Sequence, residues 1–230
     1  GDMGKLTLYN GVGGHGIGSI DDVTPTANEE IWDNIAHGAS HDGYRVGIGN
    51  AGALAYTSSF GGATVSVDVL KQGGGSLEDG ATGAGGSGSS KSIAVTYALA
   101  DGLSVGAGAG SVGTADAGTD SDQETVYVKY TTGAVSAGVQ MSQEETSGVY
   151  DWDTFQWGIS FNVSDNIALG YGQRTVDRTD TNIDQEDSGF SASYTMGSMS
   201  ITGNLNKSDD MHGSSGSDSE TTEIAVSFAF

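Results

Sequence analysis

The chain has no cysteine, one proline and eight basic residues among 230. Without cysteine there is no disulfide scaffold, no thiolate metal site and no cysteine nucleophile. With so few Lys and Arg against 30 acidic residues, a formal net charge of -22, the chain cannot neutralise a run of phosphates, so a nucleic-acid surface is excluded. No apolar run reaches the ~18 residues of a membrane helix. The first residues carry no signal-peptide pattern. Hydrophobic residues make up only 36%, while glycine supplies 39 positions. Composition leaves an acidic disordered chain or an all-β protein.

Alternation decides between them. Near the C-terminus Ile224, Val226, Phe228 and Phe230 alternate with Glu223, Ala225, Ser227 and Ala229, the two-residue period of a strand with unlike faces. The same period runs through Phe155–Val163, Val65–Val69, Ile93–Leu99 and Val126–Tyr130. It predicts strands at 5–10, 52–60, 63–72, 91–100, 102–112, 123–132, 134–143, 153–164, 166–176, 186–196, 198–208 and 219–230. Short turns at Gly61-Gly62, Asp101-Gly102, Thr132-Gly133, Ser164-Asp165 and Gly197-Ser198 alternate with long polar segments. The faces are inverted relative to a soluble sandwich. Bulky apolar side chains fill one, Gly, Ala, Ser, Thr and Asn the other, and charge collects in the loops. That is the pattern of an all-β, transmembrane antiparallel β-barrel with lipid outside and a wet lumen inside. A secreted acidic β-sandwich acting as a binding module is the competing reading.

Three stretches resemble the Gram-negative general diffusion porin family. They are the C-terminal strand ending in Phe230, the strand Gly4-Lys5-Leu6-Thr7-Leu8 with a long acidic segment after it, and Tyr56-Thr57-Ser58-Ser59-Phe60-Gly61-Gly62. The last is similar to the family's Y-x-S-P-x-F-x-G hairpin, with Ser59 where proline is common. The resemblance implies a passive pore in the outer membrane of a Gram-negative bacterium, surrounded by lipid, passing small hydrophilic solutes, without a required cofactor and assembled as a homotrimer. Modest outward side chains at Val105, Ala107 and Ala109 would suit contact with another subunit. Family barrels have sixteen strands with the constriction loop after the fifth. The twelve strands of this single domain, 1–230, then correspond to the last twelve, with ~70 residues expected before Gly1 to supply the rest; a self-contained twelve-stranded barrel is the alternative.

The same resemblance makes segment 11–42 the expected constriction loop, with a helical turn or two around Asn28–Ala36. It brings Asp21, Asp22, Glu29, Glu30 and Asp33, and no Lys or Arg. Facing it, Arg45, Lys129 and Arg174 would complete a transverse field that favours polar solutes, and the carboxylate excess predicts cation preference. Two acidic loop clusters, Asp116, Asp120 and Asp122, and Asp177, Asp180 and Asp184 with Glu186 and Asp187, offer hard oxygen ligands for calcium, although neither matches the Asp-x-Asp-x-Asp-Gly spacing. An outer-membrane barrel hydrolase, protease or lipase, would need a catalytic group. His212 beside Asp209 and Asp210 is the available pair, and no Gly-x-Ser-x-Gly elbow is present. Enzymatic activity is therefore not expected.

Overall fold

The structure, a computed structural model, describes residues 3–10, 14–32, 51–71, 89–113, 120–147 and 151–229. Its strands are β1 (Lys5–Asn10), β2 (Ala51–Phe60), β3 (Ala63–Lys71), β4 (Ser89–Ala100), β5 (Leu103–Val112), β6 (Ser121–Thr132), β7 (Val135–Thr146), β8 (Trp152–Ser164), β9 (Ile167–Arg178), β10 (Gln185–Met196), β11 (Met199–Asp209) and β12 (Ser219–Phe228). They form one sheet of 12 strands in sequence order, each antiparallel to the next. Among the described residues no ladder joins β1 to β12. The predicted strand order holds throughout, with ends shifted by a few residues at most.

Short turns close β2–β3, β4–β5, β6–β7, β8–β9 and β10–β11 at one rim. The β2–β3 turn uses Gly61 and Gly62, both at positive φ (56° and 83°), which lets the hairpin twist without strain. Asp101-Gly102 and Gly197-Ser198 lie where predicted. The turns expected at Thr132-Gly133 and Ser164-Asp165 fall one residue later, at Gly133-Ala134 and Asp165-Asn166. The long connections all leave from the other rim.

Strand parity sets the environment of every side chain. Leu6, Val126, Phe161, Phe190 and Ile224 stand on the outer face, and Ile224 is 74% exposed. The inner face is polar and packed: Gln123, Thr125, Gln140, Thr154, Gln156 and Asn206 are all buried. A sheet with its greasy face bare and its amides covered is built for hydrocarbon outside. Val128, on the outer face of β6, makes a direct test. Val128→Lys is expected to lower the unfolding free energy in lipid vesicles by about 2–4 kcal/mol, the cost of a lysine near the bilayer midplane. An unchanged denaturant midpoint would mean that this face does not meet lipid.

Candidate functional site

Between β1 and β2 the chain turns onto the inner face of the sheet. Residues 14–32 run along the wall from β3 to β11, and their two sides differ. Ile17, Ile20, Pro25 and Ile31 are buried against the strands, while Asp21, Glu29 and Glu30 stand exposed on the side away from them. The segment begins with a 3-10 helix, Gly16–Ile20. The helical turn expected around Asn28–Ala36 is not found at its described part, where residues 28–32 form bends and turns. The difference is physical: a buried isoleucine pair holds the earlier turn, whereas the later stretch spends its backbone groups on the wall.

Each step of the path is a hydrogen bond to an inner side chain. The Gly16 and Ile17 amides donate to Ser66 Oγ of β3 (2.9 Å) and Ser92 Oγ of β4 (2.8 Å). Ser92 in turn donates to Asp68, which also accepts from Tyr9 Oη at 2.9 Å. Further on, the Val23 amide donates to Gln140 Oε1 (3.1 Å), and Gln140 Nε2 donates to the carbonyls of Ile20 and Asp21 and to Thr125 Oγ1. Gln156 of β8 donates to Asp22 Oδ1 and to Gln140 Oε1. The Ala27 amide donates to Ser191 Oγ of β10, Asn28 to Asn204 of β11, and Asn206 to the Glu30 carbonyl. A loop without periodic structure must place its backbone groups somewhere, and here the wall receives them.

Glycine on the inner face makes room. A Cβ at Gly158 would lie 2.6 Å from the Pro25 carbonyl oxygen, and one at Gly138 2.9 Å from Pro25 Cδ. Gly170 and Gly189 back onto Ala27 and Ile31 in the same way. These positions read in the sequence as lining of a watery lumen. They instead form the bed on which the segment lies, and the chain's single proline sits on two of them.

The cations expected to face the segment behave differently from one another. Arg174 lies on the inner face as parity requires, but it is buried and neutralised. Its Nε and Nη2 both lie 2.6 Å from Asp187 Oδ2, its cross-strand partner on β10. Gln185 Nε2 donates to both Asp187 oxygens, and the Trp32 ring covers the guanidinium 4.3 Å from its centroid. Asp187 is thus an inner residue, not part of an external cluster. Lys129 is half-buried on the inner face of β6. Arg45 and Asp33 lie outside the described residues. Asp22 is held by the Thr24 amide (2.8 Å) and hydroxyl (2.7 Å), and burial, opposed by those bonds and aided by the charges of Glu30 and Asp21, pushes its carboxyl up to about 6.

In the acidic loops Asp116 lies outside the described residues. Asp122 and Asp177 are exposed on the outer face, Asp180 pairs with Arg178, and Asp184 is exposed. Among the described residues no group of three or more His, Asp or Glu converges on a metal-sized site. Asp209 takes the Lys207 ammonium at 2.7 Å and Asp210 accepts the Gly216 amide at 2.6 Å, so both acids near His212 have structural tasks. Sequence reasoning missed Gln140, Gln156, Asn204 and Asn206, and it assigned Asp187 to an external acidic cluster. Their signal was an amide or acid at inner parity in mid-strand, where a wet lumen would ask for nothing so specific.

The sequence profile of the family described as Gram-negative porin matches residues 8–230. No curated protein sequence matches significantly. Among solved structures, an anion-selective porin from Comamonas acidovorans is similar at 16% identity and TM-score 0.67 over all of this chain and 75% of its own. A porin refined at 1.8 Å is similar at 18% identity and TM-score 0.72, over all of this chain and 79% of its own. The trimer form of OmpT, an outer membrane protein of Vibrio cholerae, is similar at 16% identity and TM-score 0.62, over 99% of this chain and 78% of its own.

Proposed function

We propose, from the premise that this chain belongs to the Gram-negative porin family, that its pore prefers cations and that residues 14–32 set this preference. Membership makes the protein a transmembrane β-barrel of the Gram-negative outer membrane and a diffusion pore for small solutes, a function that needs no catalytic group. The observation that carries the charge preference is the two-sidedness of the inner segment: isoleucines and proline to the wall, Asp21, Glu29 and Glu30 to the open side. On the wall that carries the segment Arg174 is cancelled by Asp187, which leaves Lys129 as the inner-face cation of β6–β11 without an ion pair among the described residues. Fixed carboxylates within a Debye length of the path (~8–10 Å) count fully, whereas the acidic outer loops count little. The Comamonas porin is anion-selective, but at its level of identity only the fold carries over.

The free edges of β1 and β12 must be covered in a bilayer, because hydrocarbon offers their amides no partner. Assembly as a homotrimer is proposed on the same family grounds. Reversal potentials of the native protein in planar bilayers under a KCl gradient test the central reading. The sign for potassium is expected at neutral pH. A chloride sign, or no conductance at all, would overturn it.

A further inference from the structure

We infer that Asp22 makes the selectivity of this pore depend on pH, switching between a fixed negative charge and a neutral acceptor while the inner segment stays in place. The inference rests on the cation-preferring reading above and adds the group that regulates it.

The geometry treats the two oxygens of this carboxyl unequally. All its donors, the Thr24 amide, the Thr24 hydroxyl and Gln156 Nε2 at 3.0 Å, converge on Oδ1. Oδ2 is buried and meets no donor among the described residues. A carboxylate shares its charge between both oxygens, so half of it sits desolvated and unanswered. A proton on Oδ2 exchanges that cost for the smaller one of an unpaired hydroxyl and leaves Oδ1 a carbonyl oxygen able to accept the same bonds.

The surroundings act in one direction. Asp21 and Glu30, from the same segment, repel the ionised form, and burial does the same; only the Thr24 bonds oppose them, and the carboxyl ends near 6. The strands behind present uncharged Gln140 and Gln156. Other ionisable groups on the inner faces nearby are Tyr127 and Lys129 on β6, Glu144 on β7, which accepts from Ser121 at 2.6 Å, and the Arg174–Asp187 pair across β9 and β10. Inner-face positions of β8 carry no ionisable side chain. Asp22 sits between Asp21 and Glu30 along the segment, so its protonation in mildly acidic solution removes the middle of the three charges.

The experiment measures the reversal potential of the native protein under a fixed KCl gradient between pH 8 and pH 5, with D22N, T24V and H15Q alongside. Wild type is expected to lose cation preference through a midpoint near pH 6. D22N should start from a weaker preference and stay flat over the same range. T24V, which keeps the acid but removes a bond that favours its charged form, should move the midpoint up by about half to one pH unit. That shift serves as the readout should D22N fail to assemble. H15Q is included as the control for the histidine that the same segment carries. Loss of the inflection in H15Q and not in D22N would assign it to the imidazole and overturn the inference. So would a wild-type preference that is flat down to pH 5, or an unmoved midpoint in T24V. A wild type without cation preference at pH 8 would instead overturn the underlying reading of the pore.

Discussion

Gln140→Leu is expected to detach the inner segment from the wall, giving noisy single-channel currents and cleavage within residues 14–32 at least ~10-fold faster in limited proteolysis. Gln140 is fully buried, and its amide is the point where the segment and three strands meet. Its oxygen accepts the Val23 amide and Gln156 Nε2. Its nitrogen serves the Ile20 and Asp21 carbonyls and Thr125 Oγ1, at 2.8 Å, 3.1 Å and 2.9 Å. Leucine has a similar volume but offers none of these bonds. Each buried group left unpaired costs about 1–3 kcal/mol, so keeping the segment docked would cost roughly 5 kcal/mol or more. Water can satisfy the same groups once the segment lifts off, so lifting is the cheaper outcome. The barrel itself should persist, because the strand ladders do not depend on this side chain. Thr131→Ala is the matched control: its hydroxyl pairs with Ser136 near the exposed turn, far from the segment. Currents and cleavage rates as in wild type would show that the segment is held by something other than this amide.

The two kinds of structure in this chain differ in how far they can be read from residues alone. A strand that separates lipid from polar interior must alternate, and each one does, from Leu6 and Leu8 at one end to Ile224 and Val226 at the other. Local pattern therefore gave the number, order and orientation of strands, and parity placed Lys129 and Arg174 on the inner face. The path of residues 14–32 has no such local trace. Its partners are remote in sequence: Asn28 meets Asn204 and Ala27 meets Ser191. The glycines that make its bed, Gly138, Gly158, Gly170 and Gly189, look like lumen lining until the backbone of Pro25, Ala27 and Ile31 is seen against them. Asp187 was misjudged for a different reason. The expected strand 186–196 already contained it, and counting back by twos from the outward Phe190 puts it inside, but it was grouped with the neighbouring loop acids instead; the ladder pairs it directly with Arg174.

That pair carries the second large effect. Asp187→Ala leaves the Arg174 guanidinium buried without its anion, a loss of about 3–5 kcal/mol for breaking a buried ion pair from one side. The Arg174 side chain is only 4% exposed and that of Asp187 0%, so water cannot take over in place. The arginine has one way out, toward the lumen, which requires it to leave the Trp32 ring that now covers it. The variant is therefore expected to unfold at lower temperature in a heat-dependent gel-mobility assay. Those barrels that do fold should show reversal potentials shifted toward anions, because a cancelled cation on the inner face has become an unpaired one. The double variant Arg174→Met with Asp187→Leu separates the two consequences. It removes both charges and fills the space with apolar atoms, an exchange that is often neutral or stabilising. Heat resistance should return to near wild type, and selectivity should match wild type, since the native pair contributes no net charge to the path. If Asp187→Ala keeps both its heat resistance and its reversal potential, Arg174 is already neutralised by another group, and the pair does not set the charge balance of the pore.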